Sequence, residues 1–155
     1  MQHLSWEQVE ELAKALASKI KAGGFRPDYL IGVTAGGLIP LALLAEELNI
    51  RSIVTISAKS YDGNKKGKLN ITYLPQINLE NQKVLLIDEI AETGQTLKQI
   101  SEVLTNQYKV GELKTATLAI NAAQCQSRPD FFALEDNQKV FFPWEKDSHE
   151  NNSPA

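Results

Sequence analysis

The sequence contains one cysteine and two histidines among its 155 residues. Cys125 alone cannot form an intramolecular disulfide, and His3 and His149 lie too far apart in the chain to give the spacing of a zinc site. A disulfide scaffold is therefore excluded, and we expect the protein to work in a reducing cytoplasm. A chain of this length buries roughly 70% of its unfolded surface, which is enough for a core without cross-links.

Long apolar runs and excess basic charge are also missing. The longest apolar stretch, residues 38–45, contains Pro40 and stops at Glu46, far short of the roughly 20 residues that cross a bilayer. Residues 1–7 contain neither a basic leader nor an apolar signal core, so we expect neither membrane insertion nor export. The net charge of −3 and the pI near 5.4 argue against a dedicated nucleic-acid-binding protein.

Helical and strand-like segments alternate along the chain. Ser5 and Gln8 form the pattern of a capping box, and apolar residues then recur at helical spacing until Gly23 and Gly24. Strand patterns follow at 29–34, 52–57, 83–90 and 113–120, and helical patterns lie at 38–48 and 96–108. This alternation predicts one α/β domain over residues 1–147, with a central, mainly parallel sheet flanked by helices.

Two segments interrupt this alternation. Residues 59–68 contain two glycines, an asparagine and four lysines, which predicts a mobile surface loop. Near the end of the chain, residues 131–132 and 140–142 are expected to pair as a short hairpin. The polar residues 148–155 are expected to form a disordered tail.

An acidic turn follows the strand predicted at 83–90. Asp88, Glu89 and Glu92 lie at the carboxyl end of this strand, where open parallel sheets bind their ligands. Carboxylates this close repel one another unless hydroxyl groups or a cation compensate them. Residues 93–96 then begin a helix, whose free N–H groups favour a phosphate. Carboxylates that accept hydrogen bonds from sugar hydroxyls, beside N–H groups that donate to a phosphate, suit a sugar phosphate. Neither the P-loop pattern nor the dinucleotide fingerprint is present.

The segment from Asp88 to Thr96 resembles the signature of the type I phosphoribosyltransferases: an apolar strand, two acids, two loosely apolar positions, then acid-Thr-Gly-x-Thr. Shorter matches to the xanthine-guanine and hypoxanthine branch lie at Trp6-Glu7, Gly36 to Pro40, Ser60-Tyr61-Asp62 and Phe142 to Glu145. The resemblance implies a single-domain fold with a small C-terminal hood. It also implies a homodimer or homotetramer. The implied reaction requires Mg²⁺ and makes a nucleoside monophosphate and pyrophosphate from phosphoribosyl diphosphate and a nucleobase, for which a purine is the first expectation.

The resemblance further implies a role for each matching position. Asp88 and Glu89 would bind the ribose hydroxyls, directly or through Mg²⁺, and stabilise the cationic sugar, while Glu92 would hold the N7 proton of a purine. The donor would also contact the loops that contain Ala35, Gly36, Gly37, Ala91, Glu92, Thr93, Gly94, Gln95 and Thr96. Ser60 and Tyr61 belong to a loop that would close over the site and exclude water.

The sequence departs from the family pattern on the side of the base. Asn121 and Lys139 stand where the family places a carbonyl-recognising lysine and a stacking tryptophan, and Ala35 replaces a cation common in the pyrophosphate loop. Glutamate also replaces aspartate at positions 89 and 92. We expect the base to contact Asn121, Lys139, Val140 and Phe141.

The acceptor base stays open at this stage, because Asn121 offers both a donor and an acceptor. Two functions are compatible with these residues. The first is a phosphoribosyltransferase of the purine-salvage type. The alternative is a non-catalytic protein that senses phosphoribosyl diphosphate or a nucleotide and regulates a partner.

Overall fold

A computed structural model describes residues 1–60 and 69–146 of the chain. The helices in this part are α1 (Trp6–Ala22), α2 (Leu38–Leu48) and α3 (Gln95–Asn106). The strands are β1 (Gln2–His3), β2 (Tyr29–Thr34), β3 (Ile53–Ser60), β4 (Leu69–Tyr73), β5 (Lys83–Ala91), β6 (Glu112–Asn121), β7 (Phe131–Asp136) and β8 (Val140–Phe141). None of these helices is long and apolar enough to cross a membrane.

Six strands form the central sheet in the order β4-β3-β2-β5-β6-β7. The pairs β2–β3, β2–β5, β5–β6 and β6–β7 are parallel, and β4 is antiparallel to β3. The prediction of an α/β fold with a mainly parallel sheet is therefore confirmed. The chain runs outward from β2 to β3 and later outward from β5 to β6, so the strand order changes direction between β2 and β5. This is the place where open α/β sheets bind ligands.

The core has two layers, one on each face of the sheet. On one face, Leu85 and Ile87 of β5 pack in a cluster with residues of α1 and α2, such as Leu16 and Leu44. On the other face, Val84 and Leu86 pack in a cluster with Ile100 and Leu104 of α3. Because successive residues of a strand point to opposite faces, a strand covered on both sides is apolar throughout. This explains the unbroken apolar run that precedes Asp88.

Helix α1 begins with the capping box that the sequence predicts. The Ser5 hydroxyl accepts a hydrogen bond from the backbone N–H of Gln8 at 3.1 Å, and the Gln8 side chain accepts one from the N–H of Ser5 at 2.8 Å. The helix ends at Gly23, and Gly24 has a φ of +75°. The opening helix is therefore confirmed, with both ends defined by the residues that predicted them.

The predicted hairpin near the end of the chain is wrong. Strand β7 extends the central sheet, parallel to β6, while β8 pairs in parallel with β1 as a separate two-stranded sheet. β7 takes the edge of the sheet beside α1, where Lys19 donates a hydrogen bond to the carbonyl of Phe132 at 2.7 Å. Strands β1 and β4 have no counterpart in the sequence prediction. A two-residue strand such as β1 is too short to show any periodicity.

The loop predicted at 59–68 is partly wrong. Lys59 and Ser60 belong to β3, because they pair with Asn70 and Leu69 of β4. The rest of that segment, including Tyr61, lies outside the described residues. The predicted tail at 148–155 lies outside them as well.

Candidate active site

Two loops border the same crevice at the carboxyl ends of the central strands. Strand β2 passes into residues 35–37 before α2, and β5 passes into residues 92–94 before α3. The strands are hydrogen-bonded neighbours, whereas α2 and α3 belong to the core layers on opposite faces. The two loops therefore diverge from adjacent strand ends and leave a crevice between them.

The two acids at the end of β5, Asp88 and Glu89, point to opposite faces of the sheet. Asp88 is only 8% exposed and shares its register position and face with Thr117 of β6. The Thr117 hydroxyl is buried and has no hydrogen-bond partner among the residues that the structure describes. Glu89 lies on the side of α2, and a methyl group added at Gly36 would overlap its carboxylate. The acid pair and the glycine loop are therefore in direct contact.

Burial raises the pKa of the Asp88 carboxyl well above its ordinary value. A hydrogen bond with the Glu89 side chain and its negative charge raise this pKa further, and the hydrogen bond from the Glu89 backbone N–H at 2.9 Å lowers it. An opposite charge would lower it again. In the described part of the chain no group of three His, Cys, Asp or Glu residues could hold a metal alone. Two carboxylates nevertheless fit Mg²⁺, which commonly takes one or two protein carboxylates together with substrate phosphates.

The first turn of α3 is anchored by the loop that follows β6. Gly94 caps this helix with a φ of +89°, and its backbone lies so close to the Ser127 carbonyl that any side chain would clash there. The N–H groups of Gln126 and Ser127 both donate to the Thr93 carbonyl at 3.2 Å, and the Thr93 hydroxyl accepts the N–H of Gln95. Gly94 has no side chain with which to cap the helix, and N–H groups of a first helical turn without a cap favour a phosphate.

Glu92 is held from two sides. Its Oε2 accepts a hydrogen bond from Asn121 Nδ2 at 3.0 Å, and its Oε1 lies 3.4 Å from Lys139 Nζ. The carbonyl oxygen of the Asn121 side chain accepts the backbone N–H groups of Ala123 and Gln124 at 3.0 and 3.2 Å. Three residues predicted to lie near the base therefore meet in one cluster.

Strands β1 and β8 form the hood that carries Lys139. The N–H of Gln2 donates to the Lys139 carbonyl at 2.8 Å, and the ring of His3 stacks on Phe141 with centroids 4.9 Å apart. Lys139 Nζ lies 5.8 Å from the centroid of the Phe141 ring. Val140 is buried in the core, so its side chain is not available for a contact with a ligand.

Glu145 is a neighbour of the site to which the sequence analysis assigns no role. Desolvation raises the pKa of its carboxyl, and the N–H of Phe142, which donates at 3.4 Å, lowers it. The negative charges of Glu89 and Glu92 raise this pKa, and the positive charge of Lys139 lowers it, so all three charges act on Glu145. The family match that runs from Phe142 to Glu145 was the only signal in the sequence.

Comparisons with known proteins agree with this geometry. Residues 4–148 match the model of the phosphoribosyl transferase domain. The chain belongs to the phosphoribosyltransferase family. The predicted resemblance to its xanthine-guanine and hypoxanthine branch is confirmed by the relatives that follow.

Two curated relatives and one solved structure illustrate the similarity. The chain is 30% identical to a xanthine-guanine phosphoribosyltransferase of Cereibacter sphaeroides, over 92% of this chain and 86% of that protein. It is 33% identical to another from Desulfotalea psychrophila, over 94% and 86% of the two chains. The fold superimposes on a purine phosphoribosyltransferase from Pyrococcus horikoshii with a TM-score of 0.82, 32% identity and 94% coverage of both chains.

The raised pKa of Asp88 predicts how stability depends on pH. Between the ordinary pKa of an aspartate and this raised value, the folded protein binds more protons than the unfolded chain, so its stability falls as pH rises. We expect Asp88→Asn to raise Tm by a few degrees at about pH 8, and by less at about pH 5. Scanning calorimetry at both pH values measures this difference.

A matched control is Glu112→Gln, which neutralises an exposed carboxyl at the opposite end of the sheet. This variant should keep Tm within about one degree at both pH values. A lower Tm for Asp88→Asn at about pH 8 would contradict the prediction.

Proposed function

We propose that this chain transfers the 5-phosphoribosyl group of phosphoribosyl diphosphate to a purine, giving a nucleoside monophosphate and pyrophosphate. The observation that carries the proposal is the contact of Glu89 with Gly36, which joins the acid pair to the glycine loop. The first turn of α3 borders the same crevice. The names of both curated relatives support a purine as the acceptor.

The reaction exchanges two bonds at the anomeric carbon. The bond to the pyrophosphate oxygen breaks, and its electron pair leaves with pyrophosphate, while a ring nitrogen of the purine forms the new bond. The proton that the base gives up goes to Glu92. Asp88 and Glu89 place negative charge beside the ribose, where it stabilises the positive charge that develops as pyrophosphate leaves.

Phosphate groups of the donor bind at two backbone sites. Ala35 carries no charge, so the loop at 35–37 binds pyrophosphate through backbone groups that its glycines leave accessible. The loop at 93–96 binds the 5′-phosphate through N–H groups of the first turn of α3 and through threonine hydroxyls. Asp88 and Glu89 would hold Mg²⁺ together with the substrate, and the ion would neutralise charge on the pyrophosphate as it leaves.

We also propose that the protein works in the cytoplasm, which its single cysteine supports, and that it forms a homodimer or homotetramer, which the resemblance to the family supports. Within the described residues, no contact or site favours the alternative of a non-catalytic sensor, and the assay below separates the two.

The decisive assay is pyrophosphate release from Mg²⁺-phosphoribosyl diphosphate with hypoxanthine, guanine, xanthine or adenine, and without a base. We expect release that depends on a purine. Thermal stabilisation by the donor without release for any of these bases would reject the transferase and support the sensor.

Glu92→Gln removes the proton acceptor and keeps the shape of the side chain. We expect kcat to fall about 10²-fold or more, because a positioned acid or base contributes about 10²- to 10⁴-fold. Affinity for the donor should stay within about threefold, since Glu92 faces the hood. Steady-state kinetics and calorimetric titration measure the two quantities. Glu112→Gln serves again as the control, and equal losses in both variants would contradict this role.

Gly36→Ala tests the contact between the loop and the acid pair. The added methyl group must displace the Glu89 carboxylate, so we expect the Kd for Mg²⁺-phosphoribosyl diphosphate to rise about tenfold or more. Gly23→Ala is the control, because its methyl group would meet only the edge of the Phe131 ring, at 3.2 Å, and Lys19, far from the crevice. Isothermal titration calorimetry compares them, and an unchanged Kd for Gly36→Ala would show that the contact does not support donor binding.

A further inference from the structure

Lys139 and Glu92 place a hydrogen-bond donor beside an acceptor. The ammonium nitrogen of Lys139 lies 3.4 Å from Oε1 of Glu92, and the two side chains are 57% and 36% exposed. Each group therefore keeps part of its surface accessible to a ligand. An ammonium group has three donors, so its contact with one carboxylate oxygen leaves others free.

Purines that differ at position 6 present different patterns to such a pair. Along one edge of the ring, guanine places the O6 acceptor next to N7, whereas adenine places an amino donor next to N7. When N7 carries a proton, an oxopurine shows a donor beside an acceptor. The amino purine then shows two donors, one of which would face the ammonium group of Lys139.

The amide of Asn121 is already committed elsewhere. Its oxygen accepts two backbone N–H groups, and its nitrogen donates to Glu92. The opposite orientation of this amide would place oxygen against the carboxylate and NH₂ against two N–H donors, so the observed one is required. Asn121 is also only 7% exposed. It therefore holds Glu92, and of the two polar side chains that contact Glu92, Lys139 is the one with donors left to read the base.

We propose that Lys139 is a specificity-determining residue that donates a hydrogen bond to the 6-oxo group of a purine while Glu92 accepts the proton at N7. This inference rests on the proposed function and assigns recognition of the 6-oxo group to Lys139, at a position where the family places a stacking tryptophan. The position of Lys139 between β7 and β8 suits the role. Its carbonyl is bonded to Gln2 of β1, so the backbone that carries the ammonium group is held in place.

Lys139→Met tests the inference, because methionine keeps an unbranched side chain but has no charge and no donor. We expect kcat/KM for hypoxanthine and guanine to fall about 10- to 100-fold, since a hydrogen bond to a charged group is lost. For adenine, kcat/KM should fall by a smaller factor or rise, because both purines lose the Lys139–Glu92 contact but only the oxopurines lose a hydrogen bond to the base, and the KM for the donor should stay within about threefold.

Lys14→Met is the matched control. Lys14 lies 3.4 Å from Glu10 and is 59% exposed, so it forms an ion pair of the same length, through a lysine of similar exposure, on helix α1. Lys14→Met should behave as the wild type. Lys139→Arg keeps a cationic donor and should retain the preference for oxopurines. Equal losses for hypoxanthine and adenine in Lys139→Met, or no loss at all, would overturn the inference.

Nucleotide binding separates this inference from the proposed function. Calorimetric titrations compare the affinities for inosine and adenosine monophosphates in the wild type and in Lys139→Met. If the wild type releases no pyrophosphate but prefers the inosine nucleotide, and the preference is lost in the variant, the transferase fails and the role of Lys139 stands. If the wild type is active and the variant discriminates as well as the wild type, the role of Lys139 fails and the transferase stands.

Discussion

The packing of the Glu89 carboxylate against the backbone of Gly36 is the constraint on which the site depends. It requires β2 and β5 to be neighbours, because only then do the glycine loop and the acid pair meet at one edge of the sheet. It also requires the smallest residue at position 36. The order of the strands and the absence of a side chain at Gly36 thus place the carboxylates proposed to bind the sugar beside the backbone groups proposed to bind a phosphate.

The site concentrates negative charge with little to balance it. Asp88 and Glu89 lie at the end of β5, Glu92 follows in the loop, and the charges of Glu89 and Glu92 reach Glu145 in the hood. Lys139 is the cation paired with Glu92 in the described part of the chain. Binding of a positively charged or hydroxyl-rich ligand relieves the repulsion between these carboxylates. The repulsion in the free protein therefore favours such ligands over others.

Most of the fold could be predicted from the sequence, because its buried strands are continuous apolar runs. Strand β2 has the predicted bounds, and α1 begins at its predicted cap. The placement of Asp88 and Glu89 at the end of a buried strand, just before a helix, could also be predicted, since the motif from Asp88 to Thr96 is local. On the side of the base, the resemblance indicated Asn121 and Lys139, but their contacts with Glu92 could not be predicted, because they lie 29 and 47 positions from it in the sequence. The two-residue strands β1 and β8, which form the hood, are too short to give a periodic signal.

The hood shares no strand with the central sheet. Residues between β7 and β8 can therefore change without disturbing the ladder that carries Asp88 and Glu89. This separation allows the residue at position 139 to change independently of the strands that carry the acid pair. Recognition of the base can thus be altered through exposed substitutions near Lys139 at little cost in stability.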